Sequence, residues 1–255
     1  MANKIDFSEN RTTNCENLMR PEVRPLLNLS LDEKVAKSKE VIKEALKKYP
    51  KMGLGFSGGT DSLVLLHLAL PEIPKDMPIV FVDTQHEFPE TYAFIDKVVK
   101  DWNIKNFITV KAAEDKMQKI ADRFGLKTPE FTEICCGYHK IAPMMNAIGD
   151  LGMDAFFVGL RGVEHEERAK EQFFSPRTNP SHIRVHPLLF WRKDDVLAYV
   201  KKFNVECNPI YAKGYTSLGC VVCTEKNTDP HAHERAGRGK VREEIMKRLR
   251  DLGYT

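Results

Sequence analysis

Two pairs of cysteines are the residues in this sequence whose spacing most directly indicates chemistry. Cys135 and Cys136 are adjacent, and Cys220 and Cys223 enclose two valines. Thiolates are soft ligands, and four of them suit either a tetrahedral zinc ion or an iron–sulfur cluster. Adjacent ligands are unusual around zinc, whose protein ligands are commonly separated by two to four residues. The four cysteines therefore predict a metal centre, with disulfides or free thiols as the less favoured alternative.

A glycine-rich segment, Ser-Gly-Gly-Thr-Asp-Ser, has the composition of a phosphate-binding loop. It follows an apolar run at 52–56 and precedes an apolar stretch at 63–70, which indicates strand, loop, helix. Glycines let the backbone approach an anion while N–H groups at the helix start point outward. The lysine of a Walker A loop is missing, and a plain glycine-rich turn is the alternative. The predicted phosphate-binding residues are Ser57, Gly58, Gly59, Thr60, Asp61 and Ser62.

Other polar residues follow predicted strands or cysteines and could bind the same anion. Asp83 and Thr84 come after an apolar run at 79–82, where a turn cap is the alternative for Asp83. Lys140 follows Cys136 by four residues, where an ammonium group would stabilise thiolates or simply be exposed. Guanidinium groups bind phosphate and sulfate oxygens in pairs, although each arginine alone could equally be solvated. The candidate arginines are Arg161, Arg168, Arg235 and Arg238.

The elements that must position these residues alternate between strand-like and helix-like patterns. This alternation is typical of an α/β fold with a parallel sheet and helices on both faces, in which ligands bind at the carboxyl ends of strands. The predicted strands are at 52–56, 79–82, 107–110 and 155–160. The predicted division is an N-terminal arm and helix at 1–49, a nucleotide-binding α/β domain at 50–203 and a C-terminal segment packed on it at 204–255.

Three regions carry weaker expectations. Residues 171–182 are polar and include Pro176 and Pro180, which predicts a mobile loop. Residues 240–252 space apolar side chains four apart on a charged background, which predicts a surface helix. Cys15 lies in the polar N-terminal arm, which we expect to be mobile.

Composition argues against two classes of protein. The chain has 39 basic and 36 acidic residues, a net charge of +3, whereas dedicated nucleic-acid binders concentrate basic charge. No apolar run approaches the ~20 residues that cross a bilayer, and the N-terminus lacks the apolar middle of a signal peptide. We therefore expect a cytoplasmic protein without membrane partners, whose cysteines stay reduced.

The motifs together resemble those of the PP-loop superfamily and, within it, the sulfonucleotide reductases. Ser-Gly-Gly-x-Asp-Ser is similar to the loop of ATP pyrophosphatases, and Asp-Thr followed by Phe-Pro-Glu-Thr-Tyr at 83–92 is similar to a reductase segment. Cys-Cys, followed by Gly-Tyr-x-Ser-x-Gly-Cys-x-x-Cys-Thr at 214–224, resembles the cluster-binding pattern of assimilatory adenylyl-sulfate reductases. The resemblance covers roughly residues 50–240 and implies the adenine nucleotide alpha hydrolase-like fold.

This resemblance implies roles for the candidate residues. It favours a 4Fe–4S cluster over zinc on the four cysteines, and it places Lys140 between cluster and substrate. Gly-Leu-Arg at 159–161 with Arg168 resembles an anion-binding segment, and Arg-Ala-Gly-Arg at 235–238 resembles another. The implied enzyme reduces adenosine phosphosulfate (APS) or its 3′-phosphorylated form (PAPS) to sulfite and AMP or adenosine 3′,5′-bisphosphate (PAP). A thioredoxin-like or other thiol reductant is the implied partner.

Two departures from the reductase pattern keep an alternative open. The reductases carry a Glu-Cys-Gly-Leu-His tail whose cysteine attacks the substrate, and residues 239–255 contain no cysteine. The loop also has the intact form of enzymes that split ATP. The alternative is a cluster-dependent sulfur transferase that uses ATP and Mg²⁺ to adenylylate a nucleic acid base or small molecule. A non-catalytic nucleotide or redox sensor is a third hypothesis; the choice among APS, PAPS and ATP, the electron donor and the oligomeric state stay open.

Overall fold

The computed structural model describes residues 12–227, 229 and 233–253, and its centre is one six-stranded sheet. The strands are β1 (Met52–Gly55), β2 (Ile79–Val82), β3 (Phe107–Val110), β4 (Ala155–Phe157), β5 (Phe174–Thr178) and β6 (Ser181–Val185). The helices are α1 (Thr12–Leu18), α2 (Leu31–Lys48), α3 (Thr60–Ala69), α4 (Pro89–Asp101), α5 (Met117–Phe124), α6 (Pro129–Cys136), α7 (Ala142–Asp150), α8 (Glu166–Ala169), α9 (Lys193–Lys202), α10 (Lys240–Glu244) and α11 (Met246–Asp251). Within the described ranges, no helix combines the length and apolar character that crossing a membrane requires.

The strand order places the ends of β1 and β4 side by side. The order is β3-β2-β1-β4-β6-β5, and every neighbouring pair is parallel except β5 and β6. Leu54 of β1 pairs with Ile79 of β2 on one side and with Phe157 of β4 on the other. Strands β2 and β3 are therefore added on one side of β1, and the strands from β4 onward are added on its other side. Such a switch point leaves a crevice beyond the strand ends. The segments that follow β1 and β4 therefore meet there.

Two helices hold the loop after β1 in place. Helix α2 begins with a capping box, in which the Glu33 N–H donates to Ser30 Oγ at 3.4 Å and the Glu33 carboxylate accepts from the Ser30 N–H at 2.8 Å. Helix α3 packs against both α2 and α9, and Leu63, Val64 and Leu65 are fully buried. Burial of such a side chain contributes about 1.5–3 kcal/mol, so α3 is a firm support for the loop that precedes it.

Residues 171–182 form most of a β-hairpin, so the prediction of a mobile loop is wrong. Strands β5 and β6 are antiparallel, and Ser175 faces Arg184 across the pair. Pro176 is compatible with this arrangement because β5 is an edge strand, where a missing N–H need not break a ladder. Polar residues on an exposed edge strand resemble a loop in sequence, which explains the error.

Both ends of the described chain are more buried than predicted. Cys15 in α1 is only 4% exposed, so the expectation of a mobile arm is wrong at this residue. The predicted helix at 240–252 is interrupted at Ile245, and Ile245 and Leu249 are buried against Cys136 and Ile141. The expectation of a surface helix is therefore corrected. The apolar stripe packs against Cys136, one member of a cysteine pair.

Candidate active site

A cavity of about 220 Å³ opens where the carboxyl ends of β1, β2 and β4 meet. Its walls come from the loop after β1, the start of α7 and the C-terminal segment. The predicted site residues that line it are Ser57, Gly59, Thr60, Asp61, Ser62, Lys140, Arg168, Arg235 and Arg238. Residues far apart in sequence are thus brought together around one space.

The loop after β1 is shaped so that the start of α3 faces this cavity. Gly58 has a φ of +74°, a left-handed conformation that strains residues with a Cβ. Gly159, after β4, lies so close to the loop that a Cβ there would be 2.9 Å from the Ser62 nitrogen. The Ser57 N–H donates to Ser62 Oγ at 3.2 Å. Because first-turn N–H groups have no intrahelical acceptor, α3 presents donors suited to an anion.

Arg161 lies behind the loop and does not line the cavity. Its buried guanidinium donates to Asp61 at 2.9 Å and to Glu234 at 2.6 Å, and the Glu164 carboxylate is 3.4 Å away. Burial alone would lower the pKa of Arg161, but the three carboxylates raise it well above its usual value. Arg161 therefore joins the loop to the C-terminal segment. Its predicted direct contact with an anion has no support in this placement.

Asp83 and Thr84 organise the turn after β2. Asp83 Oδ1 accepts hydrogen bonds from the Tyr92 hydroxyl at 2.6 Å and from the Gln85 N–H at 2.7 Å. This is the capping role given above as the alternative for Asp83. Thr84 is buried, lines the pocket around the cysteines and donates to Glu87 Oε1 at 2.8 Å.

Glu87 is a cavity residue without a predicted function. It lines the cavity near Lys140, and burial raises its pKa while the charges of Lys140 and Arg238 oppose that rise. A glutamate in a turn between strand and helix is ordinarily solvated, so no sequence signal marks it. Its surroundings come partly from the C-terminal segment, whose Cys220 and Arg238 act on its charge.

Arg168 and Arg235 present guanidinium groups that carboxylates hold against the cavity wall. Arg168 donates to Glu164, and Arg235 donates to both carboxylate oxygens of Glu243 at 3.0 and 2.8 Å. Burial would raise the pKa of Glu164, but Arg168 and other nearby arginines lower it below its usual range. The wall therefore carries oriented N–H donors on both arginines.

Arg238 and Lys140 form the wall between the cavity and the cysteines. Both line the cavity and also line the neighbouring pocket that the thiols occupy. Arg238 is buried and donates to Thr224 Oγ1 at 3.2 Å. A Cβ on Gly219 would lie 1.7 Å from Arg238 Nη1, so glycine before Cys220 gives the guanidinium its place.

All four predicted cysteine ligands line this second pocket. Cys135 and Cys136 end α6, while Cys220 and Cys223 flank and end a 3₁₀ turn at Val221–Cys223. Burial, together with neighbouring thiols, raises the pKa of Cys135 to about 12. The structure therefore brings the two cysteine pairs together, as the proposal of a shared centre requires.

Positive charge surrounds part of the cysteine pocket. Arg242, which belongs to no recognisable sequence motif, donates to Cys136 Sγ at 3.4 Å. A hydrogen bond with Cys223 lowers the pKa of Cys220, and the charges of Arg242 and Arg238 lower it further against the effect of burial. Cations near thiols favour the thiolate, which is the form that binds a metal.

The arrangement of the thiols bears on the kind of centre they could hold. Among the residues that the structure describes, no three His, Cys, Asp or Glu side chains are placed to hold one metal ion. Both a zinc ion and an iron–sulfur cluster can be bound by four thiolates that surround one space. The four thiols line one pocket, and Cys220 and Cys223 are hydrogen-bonded to each other.

Two further cations line the cavity without having been predicted. Arg184 comes from β6, and Lys193 is the first residue of α9. Arg184 donates to His182 at 2.9 Å and lies over the Phe156 ring. Neither residue belongs to a local motif. The one available signal is that a lysine begins a helix, where acidic residues are preferred.

Comparisons with known proteins agree with this architecture. Residues 51–226 match the family described as "Phosphoadenosine phosphosulfate reductase domain". The chain is 31% identical over 203 residues to a phosphoadenosine 5′-phosphosulfate reductase of Alkalilimnicola ehrlichii, covering 78% of this chain and 81% of that protein. It is 32% identical over 182 residues to an adenosine 5′-phosphosulfate reductase of Mesorhizobium japonicum, covering 71% of this chain and 69% of that protein.

One solved structure with the same fold is phosphoadenylyl-sulfate reductase from Candida auris in a phosphate complex. The TM-score is 0.59 at 22% identity, and the match covers 85% of this chain and 97% of that chain. At this identity the likeness shows the fold alone. The predicted parallel-sheet PP-loop fold is confirmed.

Proposed function

The chain belongs to the phosphoadenosine phosphosulfate reductase domain family, and from this premise we propose that it reduces a sulfonucleotide. The substrate is APS or PAPS, and the products are sulfite and AMP or PAP. The observation that carries the proposal is the wall of Lys140 and Arg238 between cavity and cysteine pocket. A nucleotide in the cavity would place its phosphosulfate group beside this wall.

The two ends of the cavity would bind different parts of the substrate. The loop, with the hydroxyl groups of Ser57 and Ser62 and the N–H groups that begin α3, suits a phosphate group. Arg168 and Arg235 supply paired donors along the wall. Lys140 and Arg238 would neutralise charge on the sulfate oxygens, because an ammonium and a guanidinium group stabilise an anion strongly where water is excluded.

We assign a 4Fe–4S cluster to the cysteine pocket, with Cys135, Cys136, Cys220 and Cys223 as its ligands. Four thiols and two nearby guanidinium groups support this assignment. When bound, the cluster would polarise the sulfate group together with Lys140. The protein's part is to exclude water and to hold the sulfate close to the thiolates through Lys140 and Arg238.

The reduction needs a dithiol reductant of the thioredoxin type. A thiolate attacks the sulfate sulfur, the bond from sulfur to the bridging phosphate oxygen breaks, and the nucleotide leaves with that electron pair. The resulting S-sulfonate is attacked by the second thiol, which forms a disulfide and releases sulfite. Two thiols are oxidised and sulfur is reduced by two electrons. In this proposal both thiols, including the one that attacks the sulfur, come from the reductant.

Sulfite release is the measurement that tests this proposal. Protein purified without oxygen and loaded with iron and sulfide should release sulfite from APS or PAPS when a dithiol is present. Lys140→Met should lower the rate about 10²-fold, the usual effect of losing a group that stabilises developing charge. Lys170→Met is the matched control because Lys170 is exposed. Release from neither nucleotide by protein that binds both would overturn the proposal.

A second candidate is ATP-dependent sulfur transfer, which the intact loop and the nearby Lys193 favour. An acceptor oxygen would attack the α-phosphorus of ATP and release pyrophosphate, and a sulfur nucleophile would then displace AMP. This activity predicts AMP formation that depends on an acceptor, such as a nucleic acid base. Tight binding of a sulfonucleotide without binding of ATP would remove this candidate.

A further inference from the structure

Lys193 lies at the loop end of the cavity, near the residues that begin α3. It is the first residue of α9 and lines the cavity together with Asp61 and Tyr211. Its Nζ is 5.7 Å from the centre of the Tyr211 ring, and the Tyr211 hydroxyl accepts a hydrogen bond from the Thr60 N–H at 3.1 Å. Lys193 is therefore next to the backbone that forms the predicted phosphate site.

The arginines near this end are already engaged by carboxylates. Arg161 donates to Asp61 and Glu234, and the Arg168 and Arg235 side chains donate to other glutamates. Lys193 differs from them. Within the described part of the chain its ammonium group has no hydrogen bond and no carboxylate within 4.0 Å; the Tyr211 ring centre is 5.7 Å away, and Asp61 acts on it through its charge.

Neither its helix nor its burial explains the position of this lysine. The first turn of a helix carries partial positive charge, so a lysine there is disfavoured, and Asp194 and Asp195 follow it. Burial lowers the pKa of Lys193, but the charge of Asp61 and other nearby acids raises it overall, so the group is cationic at neutral pH. A cationic group that lines a cavity and lacks a carboxylate contact is suited to an anionic ligand.

We propose that Lys193 binds a phosphate group of the nucleotide on the loop, and so provides the cation that the loop sequence lacks. The N–H groups of the first turn of α3 other than that of Thr60, which donates to Tyr211, and the hydroxyl groups of Ser57 and Ser62 would contact the same phosphate. Lys140 and Arg238 serve the other end of the cavity. The inference rests on the proposed nucleotide site, but it holds for either reaction considered above.

Titration of AMP, inorganic pyrophosphate and adenosine into four proteins tests this assignment. The proteins are the wild type, Lys193→Met, Lys193→Arg and the control Lys201→Met, which changes a lysine near the other end of α9. Lys193→Met should weaken AMP and pyrophosphate binding at least about tenfold, as expected for a lost charge-assisted hydrogen bond. Adenosine binding should stay the same, Lys193→Arg should keep most of the affinity, and Lys201→Met should match the wild type.

Several outcomes would overturn the assignment. Equal weakening of adenosine and AMP would mean that the residue shapes the cavity without binding phosphate. Unchanged AMP and pyrophosphate binding, with or without a lower melting temperature, would restrict Lys193 to a structural role beside Asp61. If Lys193→Met fails to fold, the Lys193→Arg protein tests the assignment instead. Loss of AMP and pyrophosphate affinity in a folded Lys193→Arg protein would contradict the proposal that a cation at this position binds the phosphate. Wild-type protein that binds AMP but releases no sulfite would contradict the proposed reduction. The role of Lys193 would then still be tested by the binding measurements on the variants.

Discussion

The two ends of the cavity are built in different ways. The loop end stands on β1, β4 and α3, and the Arg161 side chain ties it to the C-terminal segment through Asp61 and Glu234. The cysteine end is made of α6, a 3₁₀ turn and the short helices α10 and α11. Regular elements around a common core hold the loop end. The cysteine end has little regular structure of its own, so ligation of a cluster would contribute to its fold.

The largest expected effect is at the cysteine end. Cys220→Ser should abolish iron binding, and the accompanying loss of binding free energy, about 10 kcal/mol or more for structural metal sites, should loosen residues 204–253. Iron and sulfide analysis with hydrogen exchange is the measurement. Exchange in β1 to β4 should change little. Cys207→Ser is the control. Full iron content in the Cys220→Ser protein would contradict the proposal that ligation helps to hold the cysteine end together.

The next largest effect is at the loop end. Arg161→Met leaves three carboxylates together without their guanidinium, and breaking such a buried pair costs about 3–5 kcal/mol. Urea unfolding should show this loss with iron content retained in the folded protein. Arg20→Met, at an exposed arginine, should change stability by less than about 0.5 kcal/mol. Similar values for both variants would contradict the structural role of Arg161.

Two glycines allow the ends to be compared by the same substitution. Gly159→Ala places a methyl group 2.9 Å from the Ser62 backbone, which should lower the unfolding free energy by about 1–3 kcal/mol. For Gly219→Ala the three atoms nearest to the new methyl group all belong to the end of the Arg238 side chain, which can swing away, so stability should change less. Gly219→Ala should instead weaken the binding of APS or PAPS about tenfold, because it displaces the Arg238 guanidinium. Gly137→Ala is the control because no atom lies within 4 Å of its new methyl group.

Equal destabilisation by Gly159→Ala and Gly219→Ala would argue that the two ends are equally rigid. Wild-type nucleotide affinity in Gly219→Ala would remove Arg238 from the binding site. Calorimetric unfolding and nucleotide titration on the same preparations separate these two results.

The smallest expected effect concerns pH and the contact between the sheet and the C-terminal segment. His182 Nδ1 is 2.7 Å from the Pro180 carbonyl and Nε2 accepts from Arg184, which also donates to the Gly253 carbonyl. Burial lowers the pKa of His182 from 6.5 to about 4, so the neutral ring is the native form. Protonation favours the unfolded chain, so this contribution is complete above pH 6.5 and decreases as the pH falls towards 4.

The expected contribution is about 1 kcal/mol lost between pH 7.5 and 5.5. The measurement is the free energy of unfolding in urea of the wild type and of His182→Gln at both pH values. The difference between the two proteins isolates His182, because the other titrating groups contribute equally to the pH dependence of both. Equal pH dependence in the two proteins would exclude His182 as its source.

Parts of the fold and site were predictable because local sequence is sufficient for them. The apolar runs Ile79–Val82 and Phe107–Val110 form strands with the predicted bounds. The first is buried inside the parallel sheet, where continuous apolar sequence is needed, and the second is a partly exposed edge strand. The loop and the cysteine pairs were recognisable because their chemistry requires particular residue types at short spacing. The hairpin at β5 and β6 was missed because an edge strand can be as polar as a loop.

The sequence by itself determined the kinds of groups in the site: a glycine-rich loop, four thiols, Lys140 and a set of arginines. Only the tertiary structure decided which arginines line the cavity, since Arg161 is engaged with carboxylates from distant segments. It also brought in Glu87, Lys193 and Arg242, which have no local motif. The reason is physical: residue type and short spacing are local, whereas burial and charge pairing depend on which distant segments the sheet order brings together.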